Sequence, residues 1–220
     1  MIVVHHLDHS RSQRVLWLLE ELGLDYEIRH YARDPTTMLA PPSLVAVHPL
    51  GKSPVITDGD KTLAESGAIL EYLVEAYGAD RFSPPLGSPD RLRYTYFMHY
   101  AEGSLMPPLL MKLVFARLPG AAPLMVRPIA SAISAKALAS YVDPQIERHL
   151  DYLEGALGQR PWFAGAMFSA ADIQMSFPLE AAASRGGLDA SRPKLMDFVE
   201  RIRARPAYGR AIAKGGPVIL

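Results

Sequence analysis

The sequence predicts an α/β domain followed by an all-helical domain, and three observations carry that prediction. Short strand patterns alternate with helical ones up to about residue 78, a stretch rich in glycine and proline runs from Gly78 to Pro89, and beyond it only helical periodicity is found. The expected division is 1–79 for the α/β domain, 80–89 for the linker and 90–220 for the helical bundle.

Ile2, Val3 and Val4 form a short buried-strand run that continues through His5, His6 and Leu7 into a polar loop. A helix follows, with Val15, Leu18, Leu19 and Leu22 on one face and Gly23 as its stop signal. The segment from Tyr26 to Tyr31 alternates as a half-buried strand does, so strand, helix and strand predict a parallel pair with a right-handed crossover. Pro35, Pro41 and Pro42 leave only a short irregular helix or loop between Arg33 and His48. Pro54 then opens a strand at a residue without an N–H, which suits a sheet edge or a bend and a cis bond. Asp58-Gly59-Asp60 is a hairpin signal, Lys61 to Leu63 the return strand, and Ser66 the expected N-cap of a helix that buries Ile69, Leu70, Leu73, Val74 and Tyr77.

In the second half, helices are expected over 91–118, 129–157, 170–184 and 194–205, with Pro119-Gly120 and the stretch from Gly158 to Pro161 as breaks. Ser169 and Asp172 have the spacing of a structural capping box.

The chain has 220 residues, with 23 Lys and Arg against 23 Asp and Glu, a balance that points away from nucleic acid or an acidic membrane surface as partner. No cysteine is present, which excludes disulfides, thiolate metal sites and a cysteine nucleophile. Any thiol chemistry must use a thiol that a ligand brings. The N-terminus lacks a signal-peptide pattern, and the apolar run from Leu105 to Leu118 is broken by prolines and charges and too short to span a bilayer. A cytoplasmic protein is expected. Adjacent strand histidines point to opposite faces, so His5, His6, Asp8 and His9 predict no metal site, and His48 reads as structural.

The run HxLxxSRSxRxLWLLEEL from His5, the Pro54 strand, Glu65-Ser66 at a helix start, HYAEGSLMP from His99 and the Ser169/Asp172 box occur in an order that resembles the glutathione transferases. The first motif is similar to bacterial and fungal members of a serine-type subgroup. The resemblance covers the whole chain and implies a thioredoxin-like glutathione-binding domain before the helical one. It also implies a homodimer, glutathione as co-substrate, no metal, and a small hydrophobic electrophile as the second substrate.

By the same resemblance, Ser10 would donate to the glutathione sulfur and favour thiolate over thiol, with Ser12 as a rival donor and Arg11 alongside. Ser10 as a plain helix N-cap stays open beside that role. Lys52 would reach the glycyl carboxylate. Ser53, Pro54 and Val55 would flank the cysteinyl unit, Val55 by backbone pairing, and Glu65 and Ser66 would hold the γ-glutamyl end. Tyr100, Met106 and Met111 are the expected wall of the electrophile pocket. Conjugation to the electrophile is the activity implied. Peroxide or disulfide reduction with the same thiolate, and a non-catalytic glutathione-binding module, remain as alternatives.

Overall fold

The computed structural model describes residues 1–8 and 10–217, so the expectation for His9 lies outside the described residues. Strand β1 (Ile2–Leu7) lies at the centre of a four-stranded sheet of order β2-β1-β3-β4. It runs parallel to β2 (Tyr26–Tyr31), pairing Ile2 with Tyr26 and Leu7 with Tyr31, and antiparallel to β3 (Val55–Asp58), pairing His5 with Val55. The crossover between β1 and β2 is helix α1 (Gln13–Leu22), whose Val15, Leu18 and Leu19 are fully buried. Gly23 closes α1 in the left-handed region at φ 71° and donates its N–H to the Leu19 carbonyl at 3.0 Å, a conformation that favours glycine. Helix α2 (Pro42–Val45) is a single turn in the proline-broken segment, as expected.

The Ser53-Pro54 bond is cis, and the hairpin of β3 with β4 (Lys61–Ala64) turns through Gly59-Asp60 with Gly59 at φ 59°. One expectation narrows here and one changes. Strand β3 is interior, flanked by β1 and β4, so Pro54 marks a bend into the sheet and not its edge. Helix α3 (Ser66–Tyr77) takes Glu65 as its N-cap, which moves Ser66 into the first turn. Similarly, Ser12 and not Ser10 holds the N-cap position of α1.

The helical half comprises α4 (Pro89–Tyr100), α5 (Met106–Ala121), α6 (Arg127–Ala137), α7 (Asp143–Gly158), α8 (Ala170–Ala181), α9 (Pro193–Arg203) and α10 (Pro206–Gly215). π-Helical turns at 101–105 and 138–142 carry α4 into α5 and α6 into α7, and a third follows α8 at 182–186. The two long periodic stretches are therefore continuous but wider by a residue at one turn, which lets Pro107 and Pro108 sit in the first turn of α5. Pro119-Gly120 lies inside the last turn of α5, and the break falls at Ala122-Pro123. Helix α10 was not expected. Pro206 reads as a stop signal in the sequence, yet it occupies the first helical position, where its missing N–H is an orphan in any case.

One hydrophobic core runs through both halves, from Ile2 on the sheet to Ala211 on α10. Trp17 of α1 is buried against the rings of Phe168 and Tyr208 at 5.7 and 5.1 Å between centroids, so the glutamate-rich outer side of α1 meets the end of the chain. There Glu21 takes Arg205 at 2.5 Å, and Glu20 takes Arg210 and Lys214 at 2.7 and 2.5 Å. At the start of α8 the predicted box closes. Asp172, fully buried, accepts from the Ser169 N–H at 2.8 Å, the Ser169 hydroxyl at 3.0 Å and the Phe163 N–H at 2.9 Å.

Candidate functional site

The loop after β1 and the bend before β3 meet through a chain of hydroxyls. Ser10 Oγ lies 2.7 Å from Ser12 Oγ and donates to Ser53 Oγ at 3.1 Å, and Ser53 Oγ in turn donates to the His5 carbonyl at 3.0 Å while accepting the Leu7 N–H at 3.3 Å. At the other end Ser12 Oγ is 2.7 Å from His6 Nδ1. A serine hydroxyl has one proton to give. With the Ser53 proton committed to the His5 carbonyl, the Ser10 proton is the one in the chain that an incoming acceptor can take.

Exposure separates the two rivals for that role. Ser12 is fully buried, so it has no surface to offer a ligand and is corrected to a support for Ser10, which is partly exposed. Burial likewise holds His6 below the ordinary imidazole range, with His30 adding to that effect and Asp8 opposing it.

The second part of the site stands at the N-terminus of α3. Glu65 holds φ 71° and ψ 123°, a region that costs a non-glycine residue about 1–3 kcal/mol, and its exposed carboxylate has no hydrogen bond or ion pair among the described residues. Ser66 is buried, and its hydroxyl accepts from Arg14 Nη2 at 2.9 Å, which leaves the hydroxyl proton free to be donated. Its neighbours Gly67 and Ala68 bring the unpaired N–H groups of the helix start. An anionic group is the natural occupant of such a place.

Arg14 ties these parts to the rest of the molecule. It is buried on α1, donates to Glu102 Oε1 at 2.5 Å and to the Gln174 carbonyl at 2.9 Å, and stacks over Phe177 at 5.4 Å from the ring centroid. Arg11, one turn earlier, lies over the same ring at 5.6 Å and faces Glu102 at 3.6 Å. Arg14 is the second arginine of the motif that begins at His5, and no role was expected for it. The signal was available, since Arg14 falls four residues before the buried Leu18 and so on an apolar face, where a guanidinium must find partners.

The remaining expectations divide. Val55 is fully buried and registered with His5 on one side and Ala64 on the other, so its backbone belongs to the sheet and cannot pair with an added peptide. Ser53, just before the cis bond, is partly exposed and precedes the first paired residue of β3. Lys52 is exposed beside it. Tyr100 and Met106 are buried in the helical core, with the Tyr100 hydroxyl 2.5 Å from His149 Nδ1, while Met111 is only partly buried. Tyr100 also lines a cavity with Tyr96, His99 and Ser104, whose lining does not include Ser10, Glu65 or Ser66. Among the described residues, His6, Asp8 and His30 gather possible ligand atoms within 4.8 Å of one another, but the Nδ1 of His6 is engaged by Ser12. His5 faces the other way, to the Tyr31 hydroxyl at 2.8 Å.

Comparison with known proteins points to one family. The family model described as "Glutathione S-transferase, N-terminal domain" matches residues 1–75, and "Glutathione S-transferase, C-terminal domain" matches residues 109–206. A relative named Glutathione S-transferase 3, from Schizosaccharomyces pombe, is 40% identical over 183 residues, which is 83% of this chain and 74% of that protein. Glutathione S-transferase 1 of Saccharomyces cerevisiae is 32% identical over 223 residues, covering 97% and 95%. A crystal structure of a glutathione S-transferase from Actinobacillus pleuropneumoniae superposes with a TM-score of 0.81 at 33% identity, covering 98% of this chain and 93% of that one.

Proposed function

The chain belongs to the glutathione S-transferase family, and from that footing we propose that it conjugates glutathione, as a thiolate held by the Ser10 hydroxyl, to small hydrophobic electrophiles. The protein has no cysteine, so the attacking sulfur is the ligand's own. A free thiol near pKa ~8.5 is mostly protonated at neutral pH, and each unit of depression corresponds to about 1.4 kcal/mol. Ser10 donates to the sulfur in place of Ser53, the thiol proton leaves to solvent, and the thiolate forms the carbon–sulfur bond while the electrophile takes up the electron pair or releases a leaving group.

The observation that carries this reading is Glu65. A solvent-exposed carboxylate, unpaired and fixed in a disfavoured backbone region beside free helix N–H groups, has a ligand's ammonium as its natural partner. In this arrangement Glu65 accepts from the α-ammonium of the γ-glutamyl end, and Ser66 with the N–H groups of α3 donates to its carboxylate. The Ser53 backbone pairs with the cysteinyl unit in place of Val55, and Lys52 reaches the glycyl carboxylate.

Glu65→Gln tests the arrangement. A charge-assisted bond contributes about 1.5–3 kcal/mol, so KM for glutathione is expected to rise roughly tenfold to a hundredfold with kcat at saturation little changed. An unchanged KM would remove Glu65 from the site. We also place the protein in the cytoplasm as a homodimer with its domain boundary in 80–89, readings supported by the family and, for the dimer, by the exposed Leu92 and Tyr96 on α4. Among the described residues no helix is long and apolar enough to cross a membrane.

A further inference from the structure

Between Glu102 and Asp143 the chain has no carboxylate side chain, while Lys112, Arg117, Arg127 and Lys136 all fall in that interval. An even overall charge thus conceals one strongly basic segment, and that segment is the hairpin of α5 and α6, which pack against each other. Lys112 spends its charge on Asp143 at 2.9 Å. Arg117, Arg127 and Lys136 are exposed and have no ion pair among the described residues.

The same hairpin exposes its apolar side chains. On α5, Leu110, Val114 and Arg117 recur at i, i+4 and i+7, and on α6 Ile129, Ile133 and Lys136 repeat that spacing, so each helix turns a stripe of two apolar residues and one cation to solvent. The connection carries Leu124 and Met125, the latter 94% exposed. Side chains that open belong to a convex tip and not to a groove. A patch of this kind marks an interaction site, and a rigid partner would need a matching concavity whereas a fluid interface deforms around it.

We propose that the α5–α6 hairpin docks on an anionic lipid surface, with Leu124, Met125 and Ile129 entering the headgroup–acyl boundary and Arg117, Arg127 and Lys136 meeting lipid phosphates. Charge complementarity selects this occupant, because a stretch with cations and no carboxylate attracts an anionic plane along its whole length. The association is peripheral, since neither helix can span a bilayer.

Co-sedimentation of the full chain with vesicles tests the proposal, using phosphatidylcholine alone and phosphatidylcholine mixed with phosphatidylglycerol. Binding is expected only with the anionic lipid and is weakened by added salt. Arg127→Gln and Lys136→Gln should each reduce it about fivefold, and Leu124→Asp with Met125→Asp by roughly tenfold or more, with the thermal midpoint of each variant as the check that it is folded. No binding to either vesicle, or equal binding to both, overturns the proposal. It is equally overturned if Leu124→Asp with Met125→Asp lowers the molecular mass in solution without vesicles, because a second copy then covers the tip.

Discussion

Asp172→Ala is expected to lose about 3–5 kcal/mol of unfolding free energy in a urea titration. The carboxylate is fully buried and accepts three hydrogen bonds, from the Ser169 and Phe163 N–H groups and the Ser169 hydroxyl. Alanine leaves two buried N–H groups without partners, each costing about 1–3 kcal/mol, and frees the start of α8, the helix that packs against α1, α3 and α4. Asp172→Asn keeps one acceptor oxygen and should lose about half as much.

The pH dependence has a definite sign. Burial pushes the Asp172 carboxyl up to about 6, against the hydrogen bonds that favour its anion. A folded-state value above the unfolded one contributes stability that is present below the unfolded pKa and lost as pH rises through 6. The gap between wild type and Asp172→Ala should therefore widen from pH 7 to pH 5. A loss under 1 kcal/mol for the alanine variant would mean that α8 does not depend on its box.

The second large effect is on catalysis. Ser10→Ala removes the hydroxyl whose proton is available to a ligand, and kcat/KM at pH 6.5 with 1-chloro-2,4-dinitrobenzene is expected to fall by about tenfold to a hundredfold, or about 1.4–2.7 kcal/mol. The deficit should shrink by pH 9, where glutathione ionises without help. Ser12→Ala, buried beneath Ser10, should cost less and leave part of that pH dependence in place, because its hydroxyl only supports Ser10. Equal losses at pH 6.5 and pH 9 would show that Ser10 acts by some means other than thiolate stabilisation.

Most of the first half of the fold was legible because its signals are local. Gly23 and Gly59 adopt the positive φ that their places demand, and alternation from Tyr26 to Tyr31 fixed a strand without tertiary information. Strand order was not legible in the same way, since nothing around Pro54 distinguishes an edge from an interior strand entered through a bend. The resemblance that gave Val55 a ligand carries no strand order, and in the sheet Val55 is registered with His5 on one side and Ala64 on the other.

Ser10, Glu65 and Ser66 could be named in advance, but their geometry could not. Glu65 is the N-cap and holds a strained backbone beneath an exposed carboxylate, a conformation that no local sequence signal encodes. The burial of Tyr100 and Met106 was not legible for a plain reason, that aromatic and methionine side chains at helical spacing suit a core and a cleft alike. The basic hairpin was hidden differently, because charge summed over the whole chain averages away a segregation that runs from Gly103 to Val142.

The most direct test of the account is the ultraviolet titration of the thiolate of glutathione bound to the wild-type protein and to Ser10→Ala, with free glutathione alongside. The bound thiol of the wild type should titrate about one to two pH units below the free value of ~8.5, and most of that depression should vanish in the variant. A wild-type value equal to the free one, or an equal depression in the two proteins, would contradict it.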